Sequence, residues 1–342
     1  KVLQNADEGT RKTINQFLNY PENSAGSLMT IEYVDLHDYF TVRKAMDYIR
    51  RTGIDKETVY TCYVIDDQRR LVGQVSLRKL IIAPESACIR DIMDSNIVSA
   101  ATTDDQEAVA DDFRRYDLTS IAVCDKEGRL VGIITIDDIV DVIQDENTED
   151  IKKMAAIIPS DEDYMKTSVW SLVAHRLPWL MLLMISATFT STIITHFETL
   201  LSGAVLLTAF IPMLMDSAGN SGSQTSVTVI RNLALGEIEL RDWPHVLAKE
   251  IGVAIVSGAA LALVNFLRII IFTSTSMMIA AVVSVTLFCT VIIAMIVGCL
   301  LPIGAKKLGF DPAVMASPMI TTIVDACSLM IYFLIATSML GL

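Results

Sequence analysis

The spacing of apolar and polar positions changes character along the chain. Between residues 24 and 143, runs of five or six apolar residues alternate with charged turns. They also alternate with stretches where apolar residues recur every three or four positions. The runs predict short strands, and the stretches predict amphipathic helices over Val42–Arg51 and Glu107–Tyr116. Beyond residue 169 the pattern becomes continuously apolar. Five segments stand out, approximately Leu177–Thr195, Leu201–Ile230, Val246–Phe272, Met277–Leu301 and Pro312–Leu340. Each supplies the roughly 20 residues needed to cross a bilayer. The second and fifth exceed that length, so part of each must tilt, kink or extend beyond the hydrocarbon. The five segments barely have the polar faces that a water-soluble helical domain requires.

The first region repeats itself. Residues 63–80 and 122–139 align at a constant shift of 59, with Asp66, Leu71, Gly73, Ser76 and Leu80 recurring as Asp125, Leu130, Gly132, Thr135 and Ile139. Each copy reads strand, charged turn, strand, helix. Two such α/β units, each of roughly 60 residues, can together bury sheet faces that one alone leaves open. The helix opened near Thr135 does not stop with the second copy but continues to Met154. Its Asp138, Asp141, Asp145 and Glu149 are spaced three, four and four apart, which puts them along one face, with Glu146 and Asp150 beside them. Like charges so placed repel. A cation or solvent must compensate, and carboxylate oxygens are the hard ligands Mg²⁺ prefers.

Charge sharpens this division. Of the 40 acids and 27 bases, 32 acids and 20 bases lie in residues 1–170, leaving the remainder nearly uncharged. The negative field repels nucleic-acid phosphate and attracts small cations. Six cysteines form no CxxC pair and read as small buried apolar residues. His37, His175, His196 and His245 are scattered, with no nucleophile–base–carboxylate arrangement, so an enzyme is not expected. No basic stretch followed by an apolar run opens the sequence, and a signal peptide is not expected.

Lys and Arg flank alternate connections: Arg231, Arg241 and Lys249 the second, Lys306 and Lys307 the fourth. The positive-inside rule therefore places the first half in the cytoplasm and the C-terminus outside. Within the spans, Asp325 is the telling residue, because an ionised carboxylate in hydrocarbon must face a pore or a partner. The alternative is a structural pair with Arg268. The second segment is interrupted by small and amide residues from Asp216 to Thr225, including Asn220 and Gln224. They suit close helix packing, and the amide oxygens also suit an ion's hydration shell. Pro212, Pro302 and Pro318 allow local breaks where carbonyls could line a cavity.

Two resemblances join these parts. The duplicated unit resembles a tandem pair of CBS domains, whose nucleotide-binding members carry Gly-x-x-Thr/Ser-x-x-Asp. The second copy matches this with Gly132, Thr135 and Asp138, while Lys79 replaces the acid in the first. This implies ATP or another adenine nucleotide at one site, unless Thr135 merely caps its helix. The whole order, with Gly219, Asn220, Gly222 and Gln224 on the second span and Asp311, Pro318, Thr322 and Asp325 around the fifth, resembles the MgtE family of magnesium channels. The fold so implied is a cytosolic α/β tandem CBS pair joined by a long acidic helix to an all-α domain of five transmembrane helices.

Its expected divisions are 1–23 (tail of a helical domain), 24–86 and 87–143 (the two CBS domains), 136–168 (the acidic plug helix and linker) and 169–342 (the membrane domain). The resemblance also implies a homodimer in the plasma membrane with its pore on the two-fold axis. Asp325, with Ser317, Thr321 and Asn220 nearby, would receive hydrated Mg²⁺. Asp138, Asp141, Glu146, Glu149, Asp150 and Asp311 would bind regulatory Mg²⁺ that closes the pore. Thr321 and Ser328 stand where many relatives carry smaller residues. A transporter of Mn²⁺ or Co²⁺ and a non-conducting cation sensor are the competing readings.

Overall fold

A computed structural model describes residues 19–160, 164–198, 205–273, 275–315 and 317–341. Most of the expected N-terminal tail lies outside the described residues. The chain forms two compact units that divide between Asn147 and Thr148.

In the first unit the repeat is realised as two three-stranded sheets. One contains β1 (Asp35–His37), β2 (Thr61–Ile65) and β3 (Leu71–Ser76), and the other β4 (Ser99–Ala101), β5 (Ser120–Cys124) and β6 (Leu130–Thr135). In each, the first strand runs parallel to the middle strand and the last antiparallel to it. The hairpin strands keep the 59-residue offset. Both turns are built the same way. Asp66 Oδ1 accepts from the backbone N–H groups of Gln68 and Arg70, and Asp125 Oδ1 from those of Glu127 and Arg129. A short acid able to bond its own turn is what this position requires.

The amphipathic helices form where the pattern predicts them. α2 (Val42–Thr52) is capped by Thr41 and carries Arg50 and Arg51 in its last turn. α5 (Gln106–Tyr116) is capped by Asp105 and carries Arg114 and Arg115. Acceptors at the start and cations at the end both favour a helix.

Spatial and sequence units do not coincide. α1 (Ala25–Leu28), which precedes the first copy, packs on the second: Ala25 and Met29 lie in one core with Val109, Phe113, Ile121 and Ile134. In return, Ile89 of α4 (Ile89–Ile92) joins Leu36, Val64 and Leu80, also of the helix α3 (Leu77–Ile82), in the core of the first. The exchange explains the repeated glycines. A Cβ on Gly132 would lie 2.6 Å from Met29 Sδ, and one on Gly73 2.5 Å from Met93 Sδ. At both places the exchanged segment reaches the strand by an isolated bridge, Thr30 to Ile133 and Asp94 to Gln74.

α6 (Ile136–Met154) runs unbroken from the end of β6. After it come α7 (Val169–His196), α8 (Ile211–Ala234), α9 (Trp243–Phe272), α10 (Met277–Lys307) and α11 (Ser317–Leu340). Short 3₁₀ segments precede α8, α9 and α11. Among the described residues four helical stretches are long and apolar enough to cross a membrane: those of α7, α9, α10 and α11. The second expected span, which contains α8, is not among them, because its polar interruption lowers its apolar character. α7 begins eight residues before the expected Leu177 and α10 runs six past the expected Leu301.

Pro212 and Pro318 sit in the first turns of α8 and α11, where a missing N–H costs nothing. Only Pro302 of the three falls inside a helix. Inner faces meet in a core of Leu207, Leu214, Val283, Leu287, Tyr332 and Phe333, while α7 has no buried residue. Outward apolar surface of this kind is what lipid solvates.

Candidate functional site

α8 and α11 pack closely where the sequence supplies glycine. A Cβ on Gly219 would approach Thr321 Cγ2 at 3.1 Å, and one on Gly222 would meet Ala294 O and Ile320 Cγ2 at 3.0 Å. At Gly298 of α10 the added atom would lie 2.3 Å from Gly222 O, so the backbones of α8 and α10 touch there. Ala218, Ala294, Ile320 and Val324 fill the seam. Close approach through small residues is how apolar helices associate without a hydrophobic driving force. The Thr321 methyl is therefore housed by Gly219.

Asp325 follows this contact by one turn and is half-buried. Asp216 precedes Gly219 on α8, and its carboxylate lies within electrostatic reach of Asp325. Asn220, four residues after Asp216, is exposed like it. Asp216 was not among the expected site residues. Its signal was present in the sequence, since it opens the polar interruption of an otherwise apolar helix. Arg268, the alternative partner for Asp325, instead donates to Asn265 Oδ1 at 2.9 Å. Thr321 and Thr322 both donate to the carbonyl of Pro318, at 2.9 and 3.0 Å, so that oxygen is already engaged. Ser317 begins α11; its side chain lies outside the described residues. One further carboxylate in this half was overlooked: Glu250 of α9 accepts from Thr225 Oγ1 of α8 at 3.1 Å.

The acidic residues of α6 have unlike surroundings. Asp138, Asp141 and Asp145 are exposed, and Glu149 and Asp150 are partly covered. Glu146 accepts from the Gln106 amide at 2.7 Å. Glu149 and Asp311 share one partner. Lys153 Nζ lies 2.6 Å from Glu149 Oε1 and 2.7 Å from Asp311 Oδ2. Burial opposes the charge on Lys153, but these two carboxylates outweigh it and hold its pKa above the ordinary lysine value. Asp311 Oδ1 accepts from the Ala313 N–H at 2.8 Å and thereby starts the 3₁₀ turn Pro312–Met315. Among the described residues, no three His, Cys, Asp or Glu side chains converge as a metal-holding group.

At the expected nucleotide position, Gly132 and Thr135 are buried and Asp138 is exposed. Thr135 Oγ1 donates to Asp138 Oδ2 at 3.1 Å. In the first copy Ser76 caps α3, accepting from Lys79 N at 3.3 Å. A cavity of about 610 Å³ opens beside this first-copy residue, lined by Tyr60, Thr61, Ser76, Leu77, Arg78, Ile81, Ile82 and Thr119.

A duplicated α/β module followed by long apolar helices with carboxylates among them defines a multi-pass membrane protein with an α/β module. The family model described as a divalent cation transporter, MgtE, matches residues 211–335, and the CBS domain model matches residues 25–86 and 89–145. The chain is 37% identical over 334 residues to the magnesium transporter MgtE of Thermus thermophilus, covering 98% of this chain and 74% of that one. To the magnesium transporter MgtE of Bacillus subtilis it is 35% identical over 337 residues, with 98% and 74% covered. The cytosolic domain of the Mg²⁺ channel MgtE in complex with ATP is also similar: 43% identity, 40% of this chain and 55% of that chain covered, TM-score 0.39. The chain belongs to the MgtE family of magnesium transporters, which are channels and not enzymes.

Proposed function

We propose that the protein is a magnesium-selective channel, a homodimer that conducts Mg²⁺ into the cytoplasm and closes when cytosolic Mg²⁺ is high. The observation that carries this reading is Asp325, a carboxylate among apolar helices beside the α8–α11 contact, near a second carboxylate and away from Arg268. Two carboxylates attract a divalent ion without stripping its water, and Mg²⁺ sheds water reluctantly. Asn220 and the backbone near Ser317 and Thr321 would face the retained waters. The soluble half and N-terminus would lie in the cytoplasm and the C-terminus outside, following the basic connections. The unburied α7 supports extensive contact with lipid and with a second subunit.

For gating, the exposed carboxylates Asp138 and Asp141, with Glu146, Glu149, Asp150 and Asp311, would hold regulatory Mg²⁺. The bound ions would relieve repulsion and favour a closed state. That is a coupling of two binding equilibria and needs no ATP hydrolysis. Gly132, Thr135 and Asp138 could receive an adenine nucleotide, with Asp138 accepting from ribose hydroxyls. The cavity beside Ser76 offers a competing position in the first copy.

The test is Mg²⁺ uptake into liposomes. Asp325→Ala is expected to abolish it while the protein still inserts, and undiminished uptake would end the pore assignment. Competition by Mn²⁺ and Co²⁺ in the same assay decides selectivity, which an octahedral oxygen site alone does not fix.

A further inference from the structure

The end of α6 is held by two different contacts. Met154 packs with Ile230 and Ala313, an apolar contact. One residue earlier, the Lys153 ammonium sits between Glu149 and Asp311, 2.6 and 2.7 Å from their oxygens. These are short charge-assisted hydrogen bonds. The lysine side chain is 24% exposed and its partners 37% and 36%, so solvent screens this triad only in part. Glu149 lies four residues before Lys153, the favourable order for a helical pair, and the lysine stands in the last turn, where the helix dipole favours a cation. Asp311 cannot easily turn away, because its other oxygen holds the Ala313 N–H.

Removing the ammonium would leave Glu149 and Asp311 facing each other as like charges. One lysine also leaves two carboxylates with a net charge of −1, which a cytosolic divalent ion could still reinforce. We propose that Lys153 is a resident cation: it clips the end of α6 to the connection between α10 and α11 without any metal, and so lowers the Mg²⁺ concentration at which the channel closes. This rests on the gating reading above and adds to it a part of the protein that does a metal's work.

The test uses the full chain in nanodiscs and in liposomes, with Lys153→Met, which keeps the apolar stem, and Lys153→Arg, which keeps the charge. In EDTA, amide hydrogen exchange across residues 149–158 should be about three- to tenfold faster in Lys153→Met and near wild type in Lys153→Arg. In the flux assay, Lys153→Met should raise the half-inhibiting internal Mg²⁺ by a similar factor and leave uptake at low Mg²⁺ intact.

Unchanged exchange in Lys153→Met would overturn the clip. Faster exchange with an unchanged half-inhibiting concentration would overturn its role in gating. A lowered half-inhibiting concentration would mean that the lysine competes with the metal, and would also overturn the proposal. Wild-type flux indifferent to internal Mg²⁺ refutes the gating reading itself, and this inference with it, before any variant is compared.

Discussion

Asp125 shows how much chemistry one repeated residue can carry. Burial pushes its carboxyl pKa up, but bonds from the Arg129 backbone and guanidinium and from the Glu127 backbone prevail and hold it below the ordinary aspartate range. A folded value below the unfolded one of about 3.9 makes the contribution complete above about pH 4. It is lost as pH falls through the folded value. The melting temperature of the wild type should therefore fall more steeply than that of Asp125→Asn between pH 5 and pH 3. Parallel melting curves for the two would refute this. The role of such a turn acid was legible, because it recurs at a fixed offset and stands between two apolar runs. Asp325 was legible for a similar reason, since a charge in an apolar stretch is conspicuous. Asp216 was legible as the start of a polar interruption, but only the packing of helices shows that it faces Asp325. Glu250, next to Lys249, gave no such signal, and only that packing shows its bond with Thr225.

Between elements, the contact that shapes the candidate path is α8 on α11, and Gly219 and Gly222 are its tight points. Alanine at Gly219 would put a methyl 3.1 Å from Thr321 Cγ2. Overpacking of this size typically costs about 1–3 kcal/mol. Gly219→Ala is expected to reduce Mg²⁺ uptake and lower the melting temperature. Thr321→Ala added to it should restore both, by giving back the volume. A double variant no better than the single would place the effect elsewhere.

The reach of sequence reading at this scale differs by element. Periodicity located both amphipathic helices and the continuous acidic helix, because their burial follows their own spacing. It placed the ends of α9 and α11 and the start of α10, but missed the start of α7 by eight residues and the end of α10 by six, since composition scarcely changes there. It also ranked α8 with the other spans, although the small and polar residues that set it apart are the ones that let its neighbours come close. The clip at Lys153 escaped it altogether, as Glu149 and Asp311 are far apart in sequence.

For the molecule as a whole, the proposed arrangement makes two checkable statements. Intact protein in detergent should have the mass of two chains by native mass spectrometry. Single cysteines placed at Ser276 and at Lys307, in a background without the six native ones, should react with an impermeant maleimide from opposite sides of the membrane. A monomeric mass, or labelling of both from one side, would contradict the proposed dimer or topology respectively. The two-part organisation was evident in the distribution of charge. The exchange of α1 and α4 between the two α/β copies was not, because a repeat in sequence records similarity and says nothing of which copy a segment completes.

That exchange bears on how such a module arose and how it can be dissected. A lone copy lacks the piece that closes its own sheet, so two unfused copies would have to trade α1-like segments across a chain boundary. Duplication within one gene makes the trade internal and permanent. Cutting the chain near residue 87 should thus yield not two small domains but two halves that seek each other, and the pair is inherited, and moves, as one part.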